Sequence, residues 1–489
     1  MIEKFFAYKT LADLRKDVDS MGLNISFEEK PEMVFRKVKV GGRVLGNSLG
    51  IHPMEGCDGT LDGKPGELTF RRWERFGDGG AKLIWGEATA VVPEGLANPR
   101  QLLINEINLP VFEELLKRTR RAHRGAYGSD EDLLVGLQLT HSGRYSYQKP
   151  LIAYHHPQAD ELTYLDKAKG IKIPKDYPVL KDSDLEGIED AYAEAAKRAF
   201  KVGFDFVDIK QCHTYLLNEL LGARTRPGKY GGDFMGRTRM VRNIFGKIRN
   251  EVGSEPLLAS RMNAYDGVPF TKDPITGVGR VIPFAIPYEY SFGINKNNPM
   301  EEDLTEPIAL IRLLREFGVG LVNVSLGSPY YNMHYGRPFE RTPEDGYYAP
   351  EHPLIGVARH FRITGAIQAA FPDLPVVGTG YSWLRQFLLA AAEANIRNKM
   401  VTIVATGRGA IAYPEFARDA MKDGALKQSR VCLAISYCTN LMRAKNNELG
   451  QYEAGCVPRD DVYTAIYQDL LAKKSKSRTL QTKVSTSKA

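Results

Sequence analysis

Eight short apolar runs separated by longer stretches of helical period constrain the fold of this chain more than any other feature. The runs are residues 45–51, 83–88, 133–138, 206–210, 257–261, 321–325, 375–378 and 400–405. Each is long enough for a buried strand and too short for a helix with a buried face. Between them, Leu185, Ile188, Tyr192, Ala195 and Ala199 recur at helical spacing, as do Leu310, Leu313, Leu314 and Phe317 ahead of the sixth run. Strands alternating with helices predict a parallel sheet covered by helices. Eight such units favour a closed (β/α)8 TIM barrel; an open doubly wound sheet is the alternative that counting alone leaves standing.

The expected organisation is an N-terminal extension (1–40), the barrel (41–425), a cysteine-containing C-terminal extension (426–470) and a basic tail (471–489). Pro/Gly/aromatic insertions follow the fifth strand (266–300) and the sixth (329–352). In a barrel, loops that follow strands lie on the C-terminal face, where active sites are built. Both insertions are therefore expected to wall a site.

Composition excludes several classes. Of 489 residues, 43% are hydrophobic and 26% charged, within the range of globular proteins and far from disordered chains. The net charge of +7 does not mark a nucleic-acid binder, because six of the seven charges lie in the tail, on Lys473, Lys474, Lys476, Arg478, Lys483 and Lys488. That Ser/Thr/Lys-rich tail reads as disordered. Five cysteines without short secreted-type spacing fit a reducing compartment. The N-terminus lacks the apolar core of a signal peptide, and no run approaches the roughly 18 apolar residues of a membrane span. A cytoplasmic protein that binds neither membrane nor nucleic acid is expected, and a homo-oligomer is compatible with this.

The strand ends carry the chemistry. The first leads into GNSLGIHPMEG, the second into WGEATAV, the third into GLQLTHSGR and the fourth into FDFVDIKQCHTYLLNELL, followed by KYGGDFMGRTRM. The seventh opens GTGYS and the eighth ATGRG. Glycine-bearing turns after strands seven and eight are where barrels commonly hold phosphate, because backbone N–H groups can approach it closely. Gly378, Gly380, Gly407 and Arg408 are the candidates.

In this order, from about residue 40 to 425, the motifs resemble the old yellow enzyme family in its wider sense, NADH:flavin oxidoreductases that include trimethylamine dehydrogenase and 2,4-dienoyl-CoA reductase. The resemblance implies an FMN flavoprotein that takes a hydride from NADH or NADPH and passes it to an electron-poor alkene. By it, Pro53, Met54 and Ala88 border the flavin ring, Gln138 bonds its pyrimidine edge, and Arg261 stabilises negative charge at N1. It places substrate chemistry on Lys210, His213 and Tyr215, with Tyr215 as proton donor. Lys210 departs from the family, where His is usual; a Lys paired with Asp208 or Glu87 is the bland alternative. No GxGxxG in a strand-to-helix context points to a separate dinucleotide domain.

Larger members of the family hold a 4Fe-4S cluster on a C-x2-C-x2-C run and a distant cysteine. Here Cys432, Cys438 and Cys456 match the first, third and fourth ligands and Ile435 occupies the second, where an aliphatic side chain cannot ligate iron. Three thiolates could hold a three-iron or site-differentiated cluster, but loss of the metal is the simpler reading.

The resulting expectation is an ene-reductase for a C=C bond conjugated to a carbonyl. The aromatic insertions (Phe284, Tyr288, Tyr290, Phe292, Tyr330, Tyr331, Tyr335, Tyr347, Tyr348) point to a planar aromatic enone such as a flavonoid, or simply pack the lid. A flavin-dependent amine or alcohol dehydrogenase and a catalytically inactive scaffold subunit are the alternatives.

Overall fold

All eight runs become parallel strands of one closed barrel in the computed structural model, which describes residues 5–167, 169–444 and 451–486, from 476 onward by backbone alone. In chain order they are β1 (Leu49–Ile51), β2 (Leu83–Ala90), β3 (Leu134–Thr140), β4 (Phe206–Ile209), β5 (Leu257–Tyr265), β6 (Val319–Leu326), β7 (Val376–Gly378) and β8 (Ile403–Thr406). Each pairs with the next, and β8 closes on β1 through Val404–Leu49, Ala405–Gly50 and Thr406–Ile51. The open-sheet alternative is thereby excluded.

The strands read as continuous apolar runs because both of their faces are buried. Inward-facing Leu83, Trp85, Leu134, Phe206, Ala259, Leu321, Val377 and Ile403 fill the barrel as one cluster. The Trp85 and Phe206 rings meet edge to face with centroids 5.0 Å apart. Gly136 on β3 lacks a side chain for this reason: a Cβ there would lie 2.2 Å from the Phe206 ring. Outward-facing residues pack under the helices, among them α1 (Glu67–Asp78), α2 (Leu109–Tyr127), α3 (Asp182–Val202), α4 (Arg239–Val252), α5 (Thr305–Glu316), α6 (Pro353–Ala370), α7 (Leu388–Arg397) and α8 (Phe416–Asp423). The five residues read at helical spacing before β4 are all buried on α3.

Beyond shifts of a few residues at strand ends, two elements differ from the sequence reading. Leu45 is not part of β1 but of a hairpin, Val38–Val40 with Arg43–Leu45, whose Val40 and Leu45 join the cluster that fills the barrel. The run reads as one because both elements bury apolar residues, Leu45 in the cluster that fills the barrel and Leu49 and Ile51 in the outer core, with buried Asn47 and Ser48 between them. The tail 471–489, read as disordered, is instead helical through most of its length, within α10 (Asp461–Thr486), numbered after α9 (Tyr437–Arg443) of the C-terminal extension. Leu470 is buried there, Lys473 pairs with Asp469 one turn earlier at 2.8 Å, and Lys474 reaches Glu344 at 2.7 Å. Lys473 and Lys474 thus serve as helix-surface partners. No described helix is long and apolar enough to cross a membrane.

The extensions are tied to the barrel by buried polar groups. Backbone N–H groups of Glu32, Met33 and Val34 all donate to Glu393 on α7, at 2.7–3.0 Å. At the other end Asp58, just after β1, accepts from Ala454 N at 2.8 Å and from the Tyr463 hydroxyl at 2.7 Å, and pairs with Arg72.

Burial also makes the fold acid-sensitive. His141, at the end of β3, accepts a hydrogen bond from Gly143 N at 3.1 Å and is fully enclosed, which pushes its pKa down to about 4. The unfolded chain protonates near the ordinary value of about 6.5, so it binds more protons than the native state below that pH and stability falls on acidification. At pH 5 His141 should cost about 2 kcal/mol relative to pH 7.5. A His141→Gln variant that folds should show a smaller fall in Tm between these pH values, and an identical fall would contradict this.

Candidate active site

The C-terminal ends of the strands surround a cavity of about 280 Å³. Its wall includes Pro53, Met54, Gln138, Lys210, His213, Tyr215, Arg261, Gly380, Gly407 and Arg408, ten of the twelve residues read as site candidates from the sequence. The other two lie just outside. Ala88 is buried one layer down, where its N–H donates to Met54 O at 3.3 Å and its carbonyl accepts from Gln101 at 2.9 Å. Gly378 is the last residue of β7, below the turn that reaches the cavity.

Beneath one side of the cavity, Asp208 on β4 organises the wall. It accepts from Trp85 Nε1 at 2.8 Å, Gln138 Nε2 at 2.6 Å and Arg261 N at 2.7 Å. Burial pushes its pKa up to about 6, against the lowering effect of those three donors. Because Asp208 holds the Gln138 amide nitrogen, Gln138 Oε1 is left as the acceptor without a protein partner. Arg261 donates through Nη1 to Pro53 O at 3.0 Å, and its buried Nε has no partner.

The catalytic-strand residues are set by a bend in the chain. His213 and Thr214 both adopt left-handed backbone, φ 66° and 60°, directly beyond β4. Such conformations cost non-glycine residues energy and persist where the surroundings hold them. Here Asn218 Oδ1 accepts from Thr214 N at 2.6 Å and Asn263 Oδ1 from His213 N at 3.4 Å. The bend turns His213 toward β6, where its Nε2 is 2.8 Å from Ser325 Oγ. Burial, then the nearby Arg261 and Lys210, hold His213 well below its ordinary pKa, so it is a neutral imidazole.

Lys210 pairs with neither Asp208 nor Glu87. Its ammonium lies 3.5 Å from the centroid of the Tyr215 ring, a cation–π contact, and burial lowers its pKa. Glu87 is occupied by Arg72 and by Trp73 Nε1 at 3.1 Å. The Tyr215 hydroxyl is hydrogen-bonded to Glu55 and stands 2.9 Å from the Tyr330 hydroxyl. Burial first, then Glu55 and Tyr330, raise its pKa well above that of an ordinary tyrosine.

Several lining residues were not singled out from the sequence: Glu55, His52, Arg337 and Arg443. Glu55 follows the recognisable Pro53-Met54 pair, and the unusual acid inside an apolar-and-glycine segment was the available signal. Of the nine insertion aromatics, only Tyr330 lines the cavity. Tyr288, Phe292, Tyr331, Tyr335 and Tyr347 are buried in the insertions' own packing, as in the His334–Tyr347 contact at 2.8 Å. Cys432, Cys438 and Cys456 carry free thiols, and no group of three or more ligating side chains among the described residues is arranged to hold a metal ion.

Whether the cavity suits FMN is tested by its uncompensated groups. Among the described residues, Arg261 Nε and Arg408 Nη1 are buried donors without partners, and neither guanidinium has a carboxylate within 4 Å. Buried cations without counter-charges are costly, so both fit an anionic ligand. Gly407 provides room beside them, since a Cβ there would come 2.6 Å from Met54 Sδ; Gly380 adopts φ 101°, which other residues rarely do. An acceptor on Gln138, a cation from Arg261 and a glycine-lined cation site at Arg408 match the edges and the phosphate of FMN.

The chain is similar to known proteins in sequence and in fold. An NADH:flavin oxidoreductase of Gibberella zeae is 26% identical over 311 residues, 60% of this chain and 67% of that protein. An NADPH dehydrogenase of Halalkalibacterium halodurans is 28% identical over 302 residues, 60% of this chain and 73% of the relative. Among solved structures, a 2-naphthoyl-CoA reductase bound to 2-naphthoyl-CoA superposes with a TM-score of 0.63 at 15% identity, covering 87% of this chain but only 57% of that one. The old yellow enzyme homologue of Zymomonas mobilis gives a TM-score of 0.55 at 19% identity, covering 81% and 95%. These structures share the fold. Residues 34–278, half of the chain, match the NADH:flavin oxidoreductase / NADH oxidase family, so the chain belongs to that family of FMN- and NAD(P)H-dependent oxidoreductases.

Proposed function

We propose that this protein is an ene-reductase that uses NADH or NADPH to reduce a C=C bond conjugated to a carbonyl. The observation that carries the reading is the Tyr215 hydroxyl at the cavity wall beside the Lys210 ammonium and the neutral His213. Bound FMN supplies the hydride chemistry, accepting from the nicotinamide and donating to the alkene. Pro53, Met54, Gln138 and Arg261 hold its ring, and Gly380, Gly407 and Arg408 its phosphate.

The remaining work falls to side chains. His213 and Lys210 bind and polarise the substrate carbonyl; a neutral imidazole and a partly desolvated ammonium both donate hydrogen bonds, and the low-dielectric cavity strengthens them. Tyr215 holds the proton destined for the carbon next to that carbonyl, and its raised pKa keeps it protonated at neutral pH. Tyr215 and Tyr330 offer a flat aromatic surface, which supports a planar substrate such as a flavonoid; the planar naphthoyl group in the similar reductase's complex is consistent with that shape.

One observation favours the dehydrogenase direction. Glu55 accepts a hydrogen bond from the Tyr215 hydroxyl, an arrangement that would also help Tyr215 take a proton from a substrate carbon or heteroatom. An inactive scaffold is disfavoured, since it would have no reason to keep desolvated Lys210, Arg261 and Arg408 around one cavity.

The test is spectroscopic. Purified protein should show flavin bands near ~370 and ~450 nm, bleach them under anaerobic NADH or NADPH, and recover them on addition of a cinnamyl- or flavone-type enone. Bleaching without recovery by any enone, combined with bleaching by an amine or alcohol alone, would reverse the assigned direction.

A further inference from the structure

Buried arginines in this protein fall into two groups. Arg72, Arg144, Arg226 and Arg237 each reach a carboxylate: Glu87 at 3.3 Å, Glu219 at 2.6 Å, Asp182 at 2.8 Å and Glu306 at 2.5 Å. Arg261 and Arg408 reach none, and both line the cavity. A third arginine behaves like them. Arg337, in the insertion after β6, lines the same cavity; among the described residues its buried Nε and Nη2 have no partners, and no carboxylate lies within 4 Å.

Arg337 is held rather than loose. Its Nη1 donates to Thr439 Oγ1 at 2.8 Å, and Thr439 belongs to α9 in the cysteine-bearing C-terminal segment. It also adjoins Arg408, whose Nη2 donates to the carbonyl of Pro338, the next residue in the chain, at 2.7 Å. Burial first, then Arg443 and Arg408, push the Arg337 pKa down to about 9. Among the described residues, Arg443 alone of the three cations has a counter-charge, Asp345 at 2.7 Å. Two neighbouring guanidiniums with free donors and no acid between them are arranged for a shared anion of more than one negative charge.

We infer that Arg337 is a second guanidinium for the FMN phosphate, positioned by Thr439, so that the C-terminal segment clamps the phosphate end of the cofactor. The inference rests on reading the Gly380, Gly407 and Arg408 end of the cavity as the phosphate site. It also gives the C-terminal segment a task that needs no metal. The Cys432–Cys456 region then acts through α9, whose Thr439 reaches down to Arg337 while Leu441 packs in the core that joins the segment to Cys57 beside β1.

The experiment uses full-length protein stripped of flavin and titrated with FMN and with riboflavin, which lacks the phosphate, following flavin fluorescence. The native protein should bind FMN far more tightly than riboflavin. Arg337→Met should weaken FMN by about 10- to 100-fold and leave riboflavin unchanged, as expected for loss of charged hydrogen bonds to phosphate. Thr439→Val should weaken FMN to a smaller extent, again sparing riboflavin. Native protein that binds both flavins equally would overturn the phosphate-site reading itself. A native preference for FMN that survives intact in Arg337→Met would overturn the role of Arg337 alone, and a selective loss of NADPH over NADH binding in that variant would assign it to the hydride donor's phosphate instead. Equal weakening of both flavins in both variants would make the effect one of pocket shape and likewise refute the clamp.

Discussion

Tyr215→Phe is expected to slow substrate reduction by roughly 10²- to 10⁴-fold while leaving the NAD(P)H-driven half-reaction at its native rate. The variant removes one oxygen and keeps the ring that Lys210 packs against at 3.5 Å, so the cavity wall should persist. What disappears is the only tyrosine hydroxyl in the cavity bonded to Glu55 and adjacent to Tyr330. Anaerobic stopped-flow of each half-reaction separates the outcomes: equal loss in both would show that Tyr215 shapes the cavity rather than delivering a proton. Glu55→Gln sharpens the test. In the reductive direction a neutral amide relieves the charge that makes loss of the Tyr215 proton unfavourable, so proton delivery should be kept or improved. In the oxidative direction the carboxylate is needed as acceptor, and the same change should impair turnover.

Arg72→Met should cost about 3–5 kcal/mol of stability, the usual penalty for leaving buried charge unpaired. Arg72 is 8% exposed and joins Asp58, in the loop after β1, to Glu87 within β2. Asp58 in turn holds Ala454 and Tyr463 of the C-terminal segment, so the loss should loosen that segment as well as the barrel rim. Urea unfolding gives the magnitude. Adding Glu87→Gln should recover part of the loss because one of the two stranded charges is removed; a double variant no more stable than Arg72→Met would refute the electrostatic explanation. Hydrogen exchange at residues 451–475 should rise in the single variant before exchange in β2 or β3 does.

The barrel was legible because its pattern is local and repeated. A strand buried on both faces must be apolar over consecutive residues, and a covering helix must be apolar every third or fourth, so each of the eight units announces itself within its own thirty or so residues. Boundaries were less legible where adjoining elements both bury apolar residues, as the hairpin does with Leu45 inside the barrel and β1 with Leu49 in the outer core. The basic tail misled for a related reason: charge density argues against a core, but α10 needs only Leu470 and a few partners across to Glu344 to dock. The insertion aromatics misled because composition does not tell a wall from a filling; Tyr331 and Tyr347 are buried by one another's loops while Tyr330, one residue from the first of these, faces the cavity.

The eight strands and the residues that reach their C-terminal ends, among them Gln138, Lys210 and Arg261, were legible in periodicity and motif, because a residue's place on a barrel strand follows from its position in the run; closure of the ring was not. Who meets whom across the mouth was decided only by tertiary structure. Glu55 and Tyr215 are 160 residues apart, Arg337 and Thr439 are 102 apart, and the sequence between them carries no record of the contact. Barrel closure brings the loops after β1, β4 and β6 into one small volume, and in that volume desolvation makes each unpaired charge seek the nearest partner. Chemistry that rests on pairs is therefore invisible until the ring of strands is closed.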